Sequence, residues 1–196
     1  MRQWVGSILF TFFLFATVPI YGTVALLTAP LPRACTYAVA VFWVDSMFWL
    51  LRVLCRLDYV VEGREHLPAR SSIVLLKPIA IDRRGGGVAV QQVLEQGRAR
   101  LAEGIWVMVF PEGTRMPVRQ TRRYGMSGVL LAQAEGLPVV PVTHNAGYFW
   151  PRRGWLKKSG TIRLVIGPPI ETKGVEPRVV NERAQRWIED TLATLA

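Results

Sequence analysis

The chain has 196 residues, of which 51% are hydrophobic, and it carries 24 Lys and Arg against 14 Asp and Glu, a formal net charge of +10. This length suits one domain of ordinary size, while a mean hydropathy of +0.24 indicates more apolar side chains than a typical soluble protein contains. Cys35 and Cys55 lie in apolar stretches without metal-ligand spacing, so the sequence predicts neither a disulfide framework nor a zinc site.

The positive charge is concentrated beyond the first third of the chain. Residues 1–57 contain four Arg and one Asp, whereas residues 58–196 contain the other 20 basic residues and 13 acidic ones, a surplus of +7. Such a surplus favours an anionic lipid surface, a phosphorylated substrate or an acidic carrier protein as partner. Nucleic acid is the rival interpretation on charge alone.

The first apolar stretch runs from Val5 to Leu31 without a charged residue. At about 1.5 Å of rise per residue, a helix of this length can cross the roughly 30 Å hydrocarbon core of a bilayer, so we predict a membrane segment. The stretch is longer than the apolar region of a usual signal peptide and lacks a convincing cleavage site. Pro19 is expected to kink or break the helix near its middle, so a bent span or a shallow re-entrant hairpin is as defensible as a straight span.

A second apolar stretch runs from Ala34 to Leu57, and the two together predict a membrane-associated helical hairpin over residues 1–57. Arg52 and Arg56 near its end, together with the basic chain beyond, favour the cytoplasmic side of the inner membrane for the following domain. Asp45 is expected to be hydrated at the membrane interface, and a functional charge at membrane depth is the alternative.

Residues 58–196 are predicted to form an α/β domain, because short apolar strand patterns alternate with helical ones. The predicted strands cover residues 58–62, 72–76, 105–109, 138–143 and 161–166. The predicted helices lie between Gly87 and Gly104, before Gly136, and over a terminal apolar face from Val180 to Leu192. The expected architecture is a layered domain with a mostly parallel or mixed sheet, preceded by the hairpin.

The sequence FPEGTR at residues 110–115 follows the apolar run 105–109 and so is expected at the end of a buried strand. Ligands of open α/β sheets collect at the carboxyl ends of strands. The turn offers a carboxylate, a hydroxyl and a guanidinium, and an arginine fork matches the geometry of a phosphate. We therefore predict a substrate that bears a phosphate; the alternative is an ion pair between Glu112 and Arg115 on a solvated turn.

FPEGTR resembles the third signature block of the glycerophospholipid acyltransferase family. Residues 79–83 look like the second block of that family, and residues 140–142 are similar to its fourth. The resemblance implies transfer of a fatty acyl group from acyl-CoA or acyl carrier protein to 1-acylglycerol 3-phosphate (lysophosphatidic acid), which gives phosphatidic acid. It implies no metal or bound cofactor, and membrane lipid rather than nucleic acid as the surrounding partner.

The resemblance also assigns substrate-binding residues. Arg115 and Arg83 are expected to hold the acceptor phosphate, while Glu112 orients the acceptor or the arginine. Gly113 lets the backbone approach the substrate, and Thr114, which offers a hydroxyl, belongs to the same substrate-binding set. Residues 140–142 are expected to shape the floor of the pocket or the acyl channel.

The first block of the family, a His followed five positions later by an Asp, is not found in this sequence. In the family this His takes the proton from the attacking hydroxyl, and the Asp orients the ring. His66 is followed at that spacing by Ser71, and His144 is followed by Phe149. His144 is expected to be a loop histidine, and recruitment as a base is the alternative.

The spacing between the predicted strands also indicates that a segment of the family's chain is missing here. Only 34 residues separate Leu75 from Phe110, where the resemblance implies several tens more. Lys77 and Asp82 share the spacing of the missing pair, but Pro78 between them disfavours a helical turn. The catalytic residues are therefore unknown, and a catalytically inactive or internally deleted relative that binds lysophospholipid is the alternative function.

Two basic clusters follow the motif. Arg119, Arg122 and Arg123 suit a phosphate, a lipid headgroup or the acyl donor, and a solvated loop is the alternative. Residues 151–158 mix Trp, Arg and Lys, which predicts an interfacial anchor whose cations face anionic lipid. The same pattern could stack a nucleic-acid base, but a nucleic-acid binder would explain neither the hairpin nor FPEGTR.

Overall fold

The structure is a computed structural model that describes residues 1–67, 87–112, 123–151 and 154–195. The chain divides into two compact units, one of Met1–Val60 with Asn145–Arg163 and the other of Val61–His144 with Leu164–Ala196. The predicted strand at 72–76 lies outside the described residues. The predicted domain boundary after residue 57 stays a prediction.

The first unit begins with two apolar helices, α1 (Arg2–Leu27) and α2 (Arg33–Leu50), and α2 continues into a π-helical turn, Leu51–Cys55. Arg2–Leu27 and Ala34–Cys55 are both long and apolar enough to cross a membrane. The predicted pair of apolar helices is confirmed.

Of the paths that Pro19 left open, the broken helix is excluded, because α1 is continuous through this residue. The Pro19 carbonyl accepts a hydrogen bond from Thr23 Oγ1 at 2.8 Å. In a long apolar helix the remaining backbone bonds keep the helical path, since apolar surroundings offer the backbone no other partner.

The two helices and the π-helical turn pack around a small apolar core. Its buried residues are Phe10, Met47, Leu51, Cys55 and Leu57. A Cβ on Gly6 would overlap the Leu54 carbonyl, so a glycine is required where α1 approaches the turn. Most other large side chains of the hairpin are exposed, as expected of helices that face lipid.

The described residues form a three-stranded sheet of order β1-β3-β2, with β1 at Leu57–Glu62, β2 at Val142–His144 and β3 at Gly160–Ile166. Strand β2 runs antiparallel to β3, with Val142 opposite Ile166 and His144 opposite Leu164. The strands predicted at 58–62 and 161–166 are confirmed. The strand predicted at 138–143 is shorter than expected and consists of β2 and an isolated bridge between Val139 and Ile170.

The remaining elements of the described chain are helical. They are a 3-10 turn at Arg64–His66, α3 at Gly87–Ala102, α4 at Ser127–Ala134, α5 at Ala146–Phe149 and α6 at Pro177–Thr194. In the second unit α4 packs against α3 and α6, and α6 also contacts β2. The fully buried Val180 anchors the apolar face of α6, so the three helices predicted for this part of the chain are confirmed.

The strand predicted at 105–109 is seen in the described residues only as a β-bridge at Ile105. Residues 106–110 adopt no regular strand, and Met108 and Phe110 are 59% and 73% exposed, whereas Trp106, Val107 and Val109 are partly buried. FPEGTR thus begins at the end of an extended connection that follows α3.

Candidate active site

The first three residues of FPEGTR are described, and they lie against the start of α4. The Gly125 N–H donates a hydrogen bond to the Pro111 carbonyl at 2.8 Å. A Cβ on Gly128, in the first turn of α4, would come within 3.3 Å of the Val109 side chain, so this glycine permits close packing. These contacts fix the backbone that leads into Glu112.

Two helices frame this connection. The Ile105 N–H donates to the Arg100 carbonyl at 3.0 Å at the end of α3. Arg98 on α3 forms an ion pair with Glu135, just after α4, with 2.7 Å between Nε and Oε1. The pair is largely exposed and so contributes little to stability, but it lies where the two helices meet beside the connection.

Tyr124 lies close enough to Glu112 for the negative charge of this carboxylate to raise its pKa. It is 7% exposed, and its pKa is raised to about 12, first by burial and then by the negative charges of Glu112 and Glu189. The hydroxyl is therefore protonated at neutral pH and can donate a hydrogen bond. Asn181 on α6 donates to the Tyr124 carbonyl at 3.4 Å. No pattern in the sequence points to this placement, since a lone tyrosine beside a glycine is typical of many packed turns.

The other predicted substrate-binding residues lie outside the described residues. They are Arg83, Gly113, Thr114 and Arg115. Lys77 and Asp82 also lie outside, as do Arg119 and Arg122 of the basic cluster; Arg123 is described, and its side chain is exposed. The assignment of Arg115 and Arg83 to the acceptor phosphate stays a prediction.

The two histidines occupy different environments. The Nδ1–H of His66 donates to the Ile166 carbonyl at 2.8 Å, because a carbonyl can only accept, which fixes the tautomer of this ring. His144 ends β2 with an exposed side chain, and desolvation by surrounding protein atoms lowers its pKa below the ordinary value. His144 is therefore mostly neutral at pH 7, and its role as a base is untested.

The segment that resembles the fourth block is well anchored. Pro141 is buried, and its carbonyl accepts a hydrogen bond from the Gly167 N–H at 2.8 Å. A Cβ on Gly167 would meet the ring of Trp187, so the end of β3 packs closely against α6. The predicted contact of residues 140–142 with an acyl chain is untested.

One cavity among the described residues lies on the hairpin rather than at the motif. It has a volume of about 410 Å³ and is lined by Phe42, Asp45, Ser46, Trp49 and Leu50. Because none of these residues belongs to the predicted substrate-binding set, we place no chemistry there. Among the described residues, no group of three or more His, Cys, Asp or Glu side chains could hold a metal ion.

Comparison with known proteins gives one family and one fold. A family model described as Acyltransferase matches residues 18–145. A 1-acyl-sn-glycerol-3-phosphate acyltransferase of Pseudomonas aeruginosa is 34% identical over 238 alignment positions, which cover 99% of this chain and 93% of the relative. The human 1-acyl-sn-glycerol-3-phosphate acyltransferase alpha is 29% identical over 109 residues, 55% of this chain and 38% of that protein.

The 1-acyl-sn-glycerophosphate acyltransferase PlsC from Thermotoga maritima has a similar structure. The TM-score is 0.71 at 20% identity, over 99% of this chain and 96% of that one. The expected α/β class, with a small mixed sheet and two apolar helices before it, is confirmed.

The length of the alignment bears on the missing block. It has 238 positions, whereas the chain has 196 residues, so at least 42 positions (238 minus 196) have no residue of this chain. This number agrees with the several tens of residues that the spacing between Leu75 and Phe110 indicates are missing.

Proposed function

This chain belongs to the acyltransferase family, and on that basis we propose that it transfers a fatty acyl group to 1-acylglycerol 3-phosphate, forming phosphatidic acid. The donor is acyl-CoA or acyl carrier protein. The observation that carries the proposal is the 34% identity, over nearly the whole chain, to a relative named for this activity. The family resemblance carried by FPEGTR is thereby confirmed.

In the proposed site, Arg115 and Arg83 bind the acceptor phosphate through paired N–H donors. Glu112 orients the acceptor or Arg115 from a turn that is fixed by the Gly125–Pro111 hydrogen bond. Tyr124 adds a neutral donor near the Glu112 carboxylate. The acyl thioester supplies the driving force, so the protein needs to bind, orient and remove one proton.

The reaction requires a group that accepts the proton of the attacking hydroxyl. General base catalysis commonly contributes about 10² to 10⁴ in rate, and the sequence has no His with an Asp five positions later. His144 is neutral near pH 7 and exposed, which makes it the imidazole to test. A chain without any base would retain only the contribution of binding and orientation.

A second candidate function is binding of lysophospholipid at the membrane without transfer. The observation that favours it is the missing His and Asp pair, together with the 42 alignment positions that have no residue of this chain. An internally deleted copy of an active enzyme would have the same sequence features. Resequencing the gene between the codons for Leu75 and Leu76 distinguishes a natural binding protein from an internally deleted copy.

We place the protein at the cytoplasmic membrane, with residues 58–196 on the cytoplasmic side. Gln3 Nε2 donates to the Cys55 carbonyl at 2.8 Å, so the two ends of the hairpin lie together. The amino terminus and the chain after the hairpin therefore share one side of the membrane. The excess of basic residues beyond the hairpin favours the cytoplasmic side.

The test is thiol release from an acyl-CoA by detergent-purified protein with lysophosphatidic acid as acceptor, beside a separate measurement of lysophosphatidic acid binding. The variants are Arg115→Ala and His144→Ala, and the matched control is Lys173→Ala, which removes an exposed positive charge outside the predicted site. We expect turnover in the parent and the control and its loss in Arg115→Ala.

The pattern of results separates the two candidate functions. Turnover that survives in His144→Ala shows that His144 is not the base. Binding that requires Arg115, without turnover in the parent, supports the lysophospholipid binder instead. Neither turnover nor Arg115-dependent binding contradicts both.

A further inference from the structure

Beside the hairpin, the first unit contains a loop with exposed aromatic and basic side chains, residues 148–151 and 154–158, which we call the collar. Trp155 is 65% exposed and Tyr148 is 53% exposed. The Lys158 ammonium lies 3.9 Å from the centroid of the Tyr148 ring. The Lys158 N–H donates to the Phe149 carbonyl at 2.8 Å, which closes the loop. These contacts present the aromatic rings and the cation together.

Lys157 is buried, whereas the neighbouring Lys158 is exposed. The sequence pattern counts Lys157 among the lipid-facing cations, and that expectation is wrong, because the residue is 3% exposed. Its Nζ donates to Thr11 Oγ1 at 2.5 Å and to the Trp155 carbonyl at 3.1 Å. It also lies 5.7 Å from the Phe10 ring centroid. Burial lowers the pKa of its amine, and these partners compensate part of the desolvation cost.

The partners of Lys157 form a polar stripe on an otherwise apolar helix. Gln3, Ser7 and Thr11 follow each other at four-residue spacing, so they lie on one face of α1. Ser7 Oγ accepts the Lys157 N–H at 2.9 Å, and Gln3 Nε2 donates to the Lys157 carbonyl at 2.6 Å. The stripe therefore binds backbone and side chain of the same residue and fixes the collar to the first three turns of α1.

We propose that the collar is a second membrane-contacting element, which binds anionic phospholipid headgroups and is coupled to the hairpin through Lys157. The partner follows from its surroundings, because the collar is fixed to a helix whose remaining faces are suited to lipid. Tryptophan and tyrosine prefer the level of the headgroups, and an exposed ammonium there favours anionic lipid. Nothing in this proposal depends on the acyltransferase reaction.

The coupling sets how deeply the hairpin inserts. The collar occupies the level of Gln3 to Thr11, where Val5, Ile8 and Leu9 on other faces of α1 are also exposed, and exposed apolar side chains follow without interruption by charge beyond Thr11. If the collar lies among the headgroups, the part of α1 beyond Thr11 faces the hydrocarbon. Lys157 then acts as the structural stop that fixes this depth.

The depth of Trp155 is measured with the full chain in vesicles that carry lipids brominated either near the headgroup or near the end of the acyl chain. The difference in fluorescence between the parent and Trp155→Phe isolates this tryptophan. We expect it to be quenched by the shallow bromine and much less by the deep one. Quenching by aqueous iodide alone, with none by either brominated lipid, overturns the proposal.

Headgroup preference is measured as the ratio of binding to phosphatidylcholine vesicles with and without added phosphatidylglycerol. The hairpin contributes to both values, so the ratio isolates the charge-dependent part. Lys158→Gln is expected to lower the ratio about fivefold, as one basic residue near an anionic surface does. Lys173→Gln, an exposed lysine outside the collar, is expected to leave it unchanged. Equal ratios for Lys158→Gln and the parent contradict the proposal.

The role of Lys157 is tested with Lys157→Met, which keeps a long unbranched side chain but removes the ammonium that donates a hydrogen bond to Thr11. We expect Trp155 to become accessible to iodide and the ratio to fall as in Lys158→Gln, while binding to phosphatidylcholine vesicles persists. Thr11→Val, which removes the acceptor from the other side, should give the same changes. If both variants retain parental quenching and ratio, Lys157 does not couple the collar to the hairpin.

Discussion

Gly63 is the position where a single methyl group should disturb the second unit most. It follows β1 with a φ of 75°, a conformation that costs an L-residue roughly 1–2 kcal/mol. A Cβ there would also overlap the Ile166 carbonyl, which already accepts the hydrogen bond from His66 Nδ1. Displacing a backbone carbonyl to make room adds about 1–3 kcal/mol. We expect Gly63→Ala to lower the free energy of unfolding by roughly 2–5 kcal/mol.

Gly104 provides the matched control, because its φ is 73° and a Cβ there would meet nothing within 4 Å. Gly104→Ala should therefore cost only the conformational part, roughly 1–2 kcal/mol. In a protein of this size, each kcal/mol shifts Tm by roughly 2–4 °C. Thermal unfolding followed by circular dichroism should show a loss of Tm about twice as large for Gly63→Ala as for Gly104→Ala. Equal losses would refute the close approach of β1 and β3 inferred at this point.

Three further predictions concern the second unit. Val180→Ala removes two buried methyl groups from α6 and should cost roughly 2 kcal/mol in thermal unfolding, whereas Val142→Ala at an exposed site should cost less than about 0.5 kcal/mol. The pKa of His144 is lowered in the folded protein, so this imidazole binds a proton more tightly in the unfolded chain. The free energy of unfolding therefore falls as the pH drops below the ordinary pKa of histidine. The Tm of the parent should therefore fall more than that of His144→Gln between pH 7.5 and about 5.5; parallel curves would contradict the shift. The pKa of Tyr124 is raised to about 12, so the stabilising effect of its protonated hydroxyl is lost as the pH rises above about 10. Over this alkaline range the Tm of Tyr124→Phe should fall less than that of the parent. An absorbance titration of the parent should show one tyrosine that ionises after the others, and this step should be absent in Tyr124→Phe.

Local patterns were sufficient to predict most helices and two strands. Helix α6 has its apolar residues at helical spacing, and β3 has Ile162, Leu164, Val165 and Ile166 between two glycines, so each element is specified by its own sequence. The same holds for the hairpin, whose length and hydropathy predict its two helices. The continuity of α1 through Pro19 was only one of the paths left open, because local proline rules apply best to helices exposed to water.

Features that depend on distant contacts could not be predicted. The apolar run at 105–109 has a strand composition, but a strand forms only where another strand pairs with it, and that choice is not local. Lys157 looks like any interfacial lysine until Ser7, 150 positions earlier, is placed beside it. Tyr124 likewise acquires its relation to Glu112 and Glu189 from the packing of α4 and α6.

The candidate site was predicted from a motif rather than from geometry. FPEGTR and its neighbours led to the correct family, and the structure adds the hydrogen bond between Gly125 and Pro111 that positions Glu112. The roles of Arg83 and Arg115 stay predictions. Their chemistry, paired donors for a phosphate, can be tested without further structural detail.

The most direct test of the central claim is formation of phosphatidic acid, followed by mass spectrometry, with the full chain in vesicles and an acyl-CoA donor. The two acceptors to compare are 1-acylglycerol 3-phosphate and 1-acylglycerol, which differ only in the phosphate that Arg115 and Arg83 are proposed to bind. Our account predicts product from the phosphate-bearing acceptor and almost none from the other, with loss of that product in Arg115→Ala. No product from either acceptor, or equal acylation of both, would contradict it.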